Sequence, residues 1–176
     1  KAGENVLVTG AGGGVATFAI QFAKAAGAEV YVTSSSPEKI SNAIRLGATA
    51  GFNYRESDWG KQLVAAAGNM NVIVDSAGGQ NYAVLLNVAA PGGRVVNYGA
   101  TTGPAESLNL FHVFWKQLRL QGSTMGSPED FSAMLNFVTQ HKIEPAIDQV
   151  FSLADADEAL HRLSASDQFG KLVLEM

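Results

Sequence analysis

Short apolar runs alternate with stretches of helical spacing along most of the chain. Residues 5–9 (NVLVT) form a β-branched run that predicts a strand. Over 13–26, Phe18, Phe22 and the small residues Ala19, Ala23 and Ala26 fall on neighbouring faces of a helix, and Gly27 stands where a C-cap would. Residues 29–33 predict a second strand. Pro37 then sits at a first helical position with Ser36 as N-cap, Ile40, Ala43 and Ile44 inward, and Gly47 as the stop. A weaker strand is predicted over 49–53, and a helix over 57–68 with Trp59, Leu63 and Ala66 on its inner face. A strand over 71–75, a helix over 80–90 ended by Pro91-Gly92-Gly93, and a strand over 94–98 follow. After a loop rich in Gly, Pro and Thr (99–104), the pattern gives a short helix over 111–117 and a sixth strand over 118–123.

Strands joined by helical crossovers imply a parallel, doubly wound α/β sheet. The strands read as nearly continuous apolar runs, as a sheet covered on both faces requires. After Gly126 the pattern changes. An amphipathic helix over 128–141 carries Phe131, Met134, Leu135 and Val138. A strand (147–151), a helix (154–164, with Asp155 as cap) and a last strand (171–175) complete it. The expected division is therefore a six-stranded domain over 1–126 and a helix-strand-helix-strand extension over 127–176.

Composition narrows the function classes. Of the 176 residues, 47% are hydrophobic and 16% charged, which excludes a disordered chain. The net charge is −4 and there is no Lys/Arg run, so a nucleic-acid surface is not expected. No apolar run is long enough to span a bilayer, and no signal-peptide pattern is present. The absence of cysteine removes disulfides, thiolate metal sites and thiol nucleophiles from the chain. It fits a cytoplasmic protein, which is the expectation. The opening Lys1-Ala2-Gly3-Glu4 reads as a loop entering a strand, so the chain is expected to be part of something longer.

The candidate chemistry lies in "VTGAGGGVA" (8–16), where glycines follow a strand and open a helix. In that position free N–H groups at the positive helix end receive the pyrophosphate of a dinucleotide, and glycines let it approach the backbone. The spacing is Gly10-x-x-Gly13-x-x-Ala16, with Ala16 small enough for the packing role usually held by the third glycine. A P-loop would need Gly-Lys-Ser/Thr, which is absent. A short-chain dehydrogenase would need Tyr-x-x-x-Lys, and none of Tyr31, Tyr54, Tyr82 or Tyr98 has a lysine four residues on. An NAD site usually ends its second strand on Asp or Glu. Here that strand ends in Thr33-Ser34-Ser35-Ser36, Glu29 lies at its other end, and Lys39 follows one turn into the helix. Serines and a lysine suit a 2′-phosphate, which favours NADP over NAD.

These residues resemble the medium-chain dehydrogenase/reductase superfamily, nearest to its quinone-oxidoreductase-like and zinc-type alcohol-dehydrogenase-like branch. The resemblance rests on "VLVTGAGGGVATFAIQFAKAAGA", "GFNYR", "VDSAGG", "APGGRVVNYG", "GSTMGSPEDF" and "FGKLVLEM" in that order and spacing. It implies a Rossmann fold. It further implies that Gly13, Gly14 and Val15 hold the pyrophosphate and that Ser35, Lys39 and Tyr54 hold the 2′-phosphate and adenine ribose. Ser76 and Ala77 would lie under the adenosine, Tyr98, Gly99 and Ala100 nearer the nicotinamide ribose, and Gly122, Ser123 and Thr124 near the nicotinamide. Residues 118–121 would pair with a second copy to make a homodimer. Ala16 departs from the usual glycine. The family also has a separate catalytic lobe, which carries the zinc ligands where there are any and most of the substrate pocket. The extension would pack on that lobe.

No catalytic residue or metal ligand is assigned. His112, His141 and His161 are too scattered for a local metal motif, and Asp75 reads as a buried turn-former. Asp155, Asp157 and Glu158 read as charges favoured at a helix start, and Phe111, Phe114, Trp115 and Leu118 as a packed face, with a dimer or substrate-lobe contact as the alternative. The expected function is the NADP(H)-binding part of an oxidoreductase that transfers hydride to or from a small carbonyl, enone, quinone or alcohol. The alternative is a non-catalytic dinucleotide-binding module or sensor.

Overall fold

A computed structural model describes residues 1–176. Six parallel strands form one sheet: β1 (Asn5–Val8), β2 (Glu29–Thr33), β3 (Ala50–Phe52), β4 (Met70–Asp75), β5 (Ala89–Asn97) and β6 (Arg119–Gly122), in the spatial order β3-β2-β1-β4-β5-β6. The order reverses between β1 and β4, which is where a crevice opens beyond the carboxyl ends of the strands in such sheets. The crossover helices are α1 (Gly14–Ala25), α2 (Pro37–Arg45), α3 (Trp59–Ala67), α4 (Tyr82–Val88) and α5 (Leu110–Trp115).

Alternation along β1 divides the core in two. Val6 and Val8 join Ile20 of α1 and Ala43 of α2 on one face of the sheet; Leu7 joins Leu63 of α3 and Leu85 and Leu86 of α4 on the other. Both faces are thus covered, and the sheet belongs to the class expected. Small shifts of phase occur. Ala66 is exposed and Ala67 packs inward, because the row through Trp59 and Leu63 continues at i+4. Ile44 is likewise largely exposed beside buried Ala43.

Two expectations are corrected. Helix α4 stops at Val88, and Pro91-Gly92-Gly93 lies inside β5 rather than ending a helix at residue 90. The carbonyls freed at its end are taken up by Lys116, whose ammonium donates to those of Leu86, Asn87 and Ala89. Burial pushes that ammonium below its usual pKa. Strand β5 then makes a detour: Met70 pairs with Ala89 but Val72 pairs with Arg94. Gly92 permits it with φ +71°, and its N–H donates to the Lys116 carbonyl at 2.7 Å. The second correction concerns Phe111, Phe114 and Trp115. They are 71%, 58% and 82% exposed, and only Leu118 of that predicted face is buried. Helical spacing reports that residues share a face, but not that the same chain covers it.

The extension consists of α6 (Pro128–His141), β7 (Ile147–Ser152), α7 (Ala156–Ala165) and β8 (Lys171–Glu175). A capping box of Ser127 and Asp130 starts α6. Asp155 stands at the N-cap of α7 as expected, but its side chain makes no capping bond; a short 3-10 turn precedes the helix, and the Asp155 carboxylate accepts from Ser152 Oγ at 2.7 Å. Strands β7 and β8 pair in parallel as a separate two-stranded sheet. No helix is long and apolar enough to cross a membrane.

Candidate functional site: the crevice at the strand reversal

The glycine turn is closed from both neighbouring strands. Thr9 N–H donates to the Val74 carbonyl and Ala11 N–H to the Thr33 carbonyl, each at 3.0 Å. Gly10 adopts φ +68° to make the turn, and Gly13 N–H donates back to its carbonyl at 3.0 Å. Gly13 is the N-cap of α1, and no side chain caps the helix. The first-turn N–H groups of Gly14, Val15 and Ala16 therefore remain available to an anion. Ala16 is fully buried, which fits its packing role.

Two lysine stems cross the turn. A Cβ on Gly14 would come within 2.7 Å of Lys171 Cδ and 3.4 Å of its Nζ; one on Gly12 would meet Lys39 Cδ at 2.7 Å and Nζ at 3.2 Å. Two ammonium groups thus stand beside the positive end of α1, strengthening its preference for an anion. Nothing in the local sequence marks Lys171, which reaches the turn only because β8 starts beside it. Gly170 N–H donates to the Gly12 carbonyl at 2.9 Å, so the extension folds back onto the turn.

Beyond β2 the three serines are divided among tasks. Ser34 Oγ accepts from Ser36 N–H, and Ser36 Oγ caps α2 by accepting from Lys39 N–H. Ser35 faces Tyr54, whose hydroxyl donates to Ser35 Oγ at 3.2 Å. Lys39 sends its ammonium elsewhere, to the carbonyl of Ser166 at the end of α7.

Asp75 is the fixed point of the crevice. It is fully buried and accepts from Thr9 Oγ1 (2.7 Å), Ala77 N–H (3.2 Å), Gly78 N–H (3.1 Å) and Asn97 Nδ2 (3.0 Å). Tyr82 OH in turn donates to Asn97 Oδ1 at 2.8 Å. One carboxylate thereby ties together the ends of β1, β4 and β5, as expected of a buried turn-former but over a wider reach. The loops after β4 and β5 are zipped as well. Thr101 N–H donates to the Ser76 carbonyl and Thr102 N–H to the Ala77 carbonyl, both at 2.9 Å, and Gly79 N–H donates to the Gly103 carbonyl at 3.0 Å. Tyr98 N–H donates to the Asp75 carbonyl, and burial raises the phenol above its usual pKa. Gly99 lies close against Ser76.

A cavity of about 140 Å³ opens between these loops, with Tyr54, Ser76, Ala77 and buried Trp59 among its lining. Ser35 joins it through Tyr54, and the glycine turn flanks it at Gly10. Gly122, Ser123 and Thr124 stand apart at the end of β6, exposed, with Ser123 N–H donating to the Asn97 carbonyl at 2.8 Å. Sequence reasoning missed Lys171, the Thr101–Thr102 zipper and the Asn97–Tyr82 link, all of which depend on distant pairings. A larger cavity of about 520 Å³ between α3 and α4 touches none of the strand ends.

The donor set fits a dinucleotide and does not fit zinc. The histidines and carboxylates form no group of three that could hold a metal ion, and there is no cysteine.

The family model described as "zinc-binding dehydrogenase" matches residues 14–140. The chain is 39% identical over 186 aligned positions to a zinc-type alcohol dehydrogenase-like protein of Leptosphaeria maculans, covering 100% of this chain and 52% of the relative. It is 32% identical over 185 positions to a quinone oxidoreductase of Pseudomonas aeruginosa, covering 99% and 57%. A crystal structure of an NAD-dependent alcohol dehydrogenase superposes with a TM-score of 0.92 at 37% identity, covering 100% of this chain and 52% of that one. A 2-octenoyl-CoA carboxylase reductase in complex with NADP and 2-octenoyl-CoA gives 0.90 at 27% identity, covering 99% and 43%. The chain thus spans about half the length of the relatives it matches.

Proposed function

The chain belongs to the zinc-binding dehydrogenase family, and from that premise we propose that it is the NADP(H)-binding part of an oxidoreductase acting on a small carbonyl, enone, quinone or alcohol. The observation that carries the reading is the uncapped start of α1 at the strand reversal, with Lys171 and Lys39 beside it. Gly13, Gly14 and Val15 would receive the pyrophosphate, with Lys171 as its cation. Tyr54, Ser76 and Ala77 would border the adenosine, and Tyr98, Gly99 and Ala100 the nicotinamide ribose. Gly122, Ser123 and Thr124 would border the nicotinamide. When bound, the dinucleotide supplies or accepts the hydride. The residues of this chain bind it, orient it and keep water from one side of it. No acid, base or metal ligand is assigned to them. The substrate pocket and any zinc would come from a further lobe, and the exposed apolar side chains of the extension, among them Phe131, Leu160 and Leu163, would pack there.

The choice of NADP rests on Ser35, Tyr54 and Lys39, with no carboxylate at the end of β2. Titration by fluorescence or calorimetry is expected to give tighter binding of NADPH than of NADH. Lys39→Ala is expected to weaken NADPH by about tenfold and NADH by clearly less, narrowing the difference between them. Equal affinities of the unaltered chain for the two dinucleotides would sink the 2′-phosphate reading.

The partner proposed is a second copy of the chain. All four residues of β6 are exposed and its outer edge is unpaired, beside the exposed aromatic residues of α5. Pairing residues 118–121 with their mates would continue the sheet. Sedimentation equilibrium at micromolar concentration is expected to give twice the chain mass; a monomer there removes the seam.

A further inference from the structure

Lys39 has one ammonium and two claims on it. Its stem lies over Gly12, and its Nζ donates to the carbonyl of Ser166, the residue that ends α7 in the left-handed region. That carbonyl belongs to the negative end of a ten-residue helix and suits a cation. The segment that follows is stitched to the same turn. The carbonyl of Gln168 lies over Gly12, Gly170 N–H donates to the Gly12 carbonyl, and Phe169 packs against the core on the α1 side. From the other side, Asp148 of β7 holds the segment through Phe169 N–H at 3.0 Å and through Arg162. Residues 166–171 therefore form a strap between the glycine turn and the β7–β8 sheet, and Lys39 is its only side-chain tie to α2.

We propose that this tie is exchanged when a 2′-phosphorylated dinucleotide binds: Lys39 leaves the Ser166 carbonyl for the phosphate and the strap loosens at the end of α7. The inference rests on the 2′-phosphate reading above and adds a consequence to it. A phosphate dianion outcompetes a peptide carbonyl for an ammonium, and Lys39 gives up the Ser166 carbonyl as its ammonium turns toward Ser35 and Tyr54. Ligands without the 2′-phosphate leave the tie in place. The strap leads directly into the sheet that would meet a second lobe, so the kind of dinucleotide bound is reported to that surface.

Amide hydrogen exchange over residues 163–171 tests this with 2′,5′-ADP and 5′-AMP as probes at saturation. With 2′,5′-ADP, exchange at Ser166 and Gly170 is expected to rise by about three- to tenfold; with 5′-AMP it should not. Lys39→Met keeps the stem over Gly12 and removes the donor. The free variant should already show the raised exchange, with no further rise on adding 2′,5′-ADP. Tighter binding of 2′,5′-ADP than of 5′-AMP with unchanged exchange overturns the exchange of partners and leaves the 2′-phosphate reading intact. Equal binding of the two probes overturns both. A Lys39→Met chain that exchanges as slowly as the unaltered one shows that Lys39 does not hold the strap.

Discussion

Gly13→Asp is expected to abolish dinucleotide binding while leaving the fold as stable as before or slightly more so. The N-cap backbone at Gly13 is extended, with φ −73° and ψ 148°, which any residue adopts and which N-capping aspartates favour. A Cβ there would sit 3.6 Å from the Gly10 carbonyl, an ordinary contact. The new carboxylate would accept from the free N–H groups of the first turn, contributing a few tenths of a kcal/mol to the helix. It would also occupy the place of the pyrophosphate and repel it. Two like charges about 4 Å apart near a protein surface cost roughly 4 kcal/mol. The loss of affinity should thus reach at least about a hundredfold for NADPH and NADH alike. Opposite signs in the two measurements, thermal midpoint and dissociation constant, separate this outcome from simple damage. Unchanged affinity would mean that the start of α1 does not receive the phosphates.

The largest effect on stability is expected at Asp75. Asp75→Ala strips the acceptor from Thr9 Oγ1, Ala77 N–H, Gly78 N–H and Asn97 Nδ2 at once. Unsatisfied buried donors cost about 1–3 kcal/mol each, partly relieved by entering water, so a loss of about 3–5 kcal/mol is reasonable. Asp75→Asn is not a mild change either. Both carboxylate oxygens accept from two donors, so an amide –NH₂ must face two of them whichever way it turns. Urea unfolding measures both variants. A loss below about 1 kcal/mol for Asp75→Ala would show that the crevice rests on its backbone zipper instead.

Much of this fold could be read from periodicity, because six strands and their crossovers announce themselves within windows of ten residues. Alternating Val6, Leu7 and Val8, the glycines at 27 and 47, and the Ser36–Pro37 start of α2 are local signals with local causes. The way α4 ends was not readable, because the lysine that takes up its last carbonyls lies 30 residues away from Leu86. The glycine turn was found because a strand precedes it and a helix follows. Its second cation was not, since Lys171 arrives from the last strand. The aromatic residues of α5 had the spacing of a core and the exposure of an interface, a difference that spacing cannot express.

The strap has a consequence in time as well as in space. During synthesis, the residues that build all six strands of the main sheet emerge before Gly170 and Lys171 do. A nascent chain can therefore complete its sheet and still lack both the N–H that clasps the Gly12 carbonyl and the ammonium over Gly14. Closing so long a loop is among the slowest events open to a chain of this kind. The phosphate site is thus completed only once β8 has begun to emerge, later than the sheet that carries it.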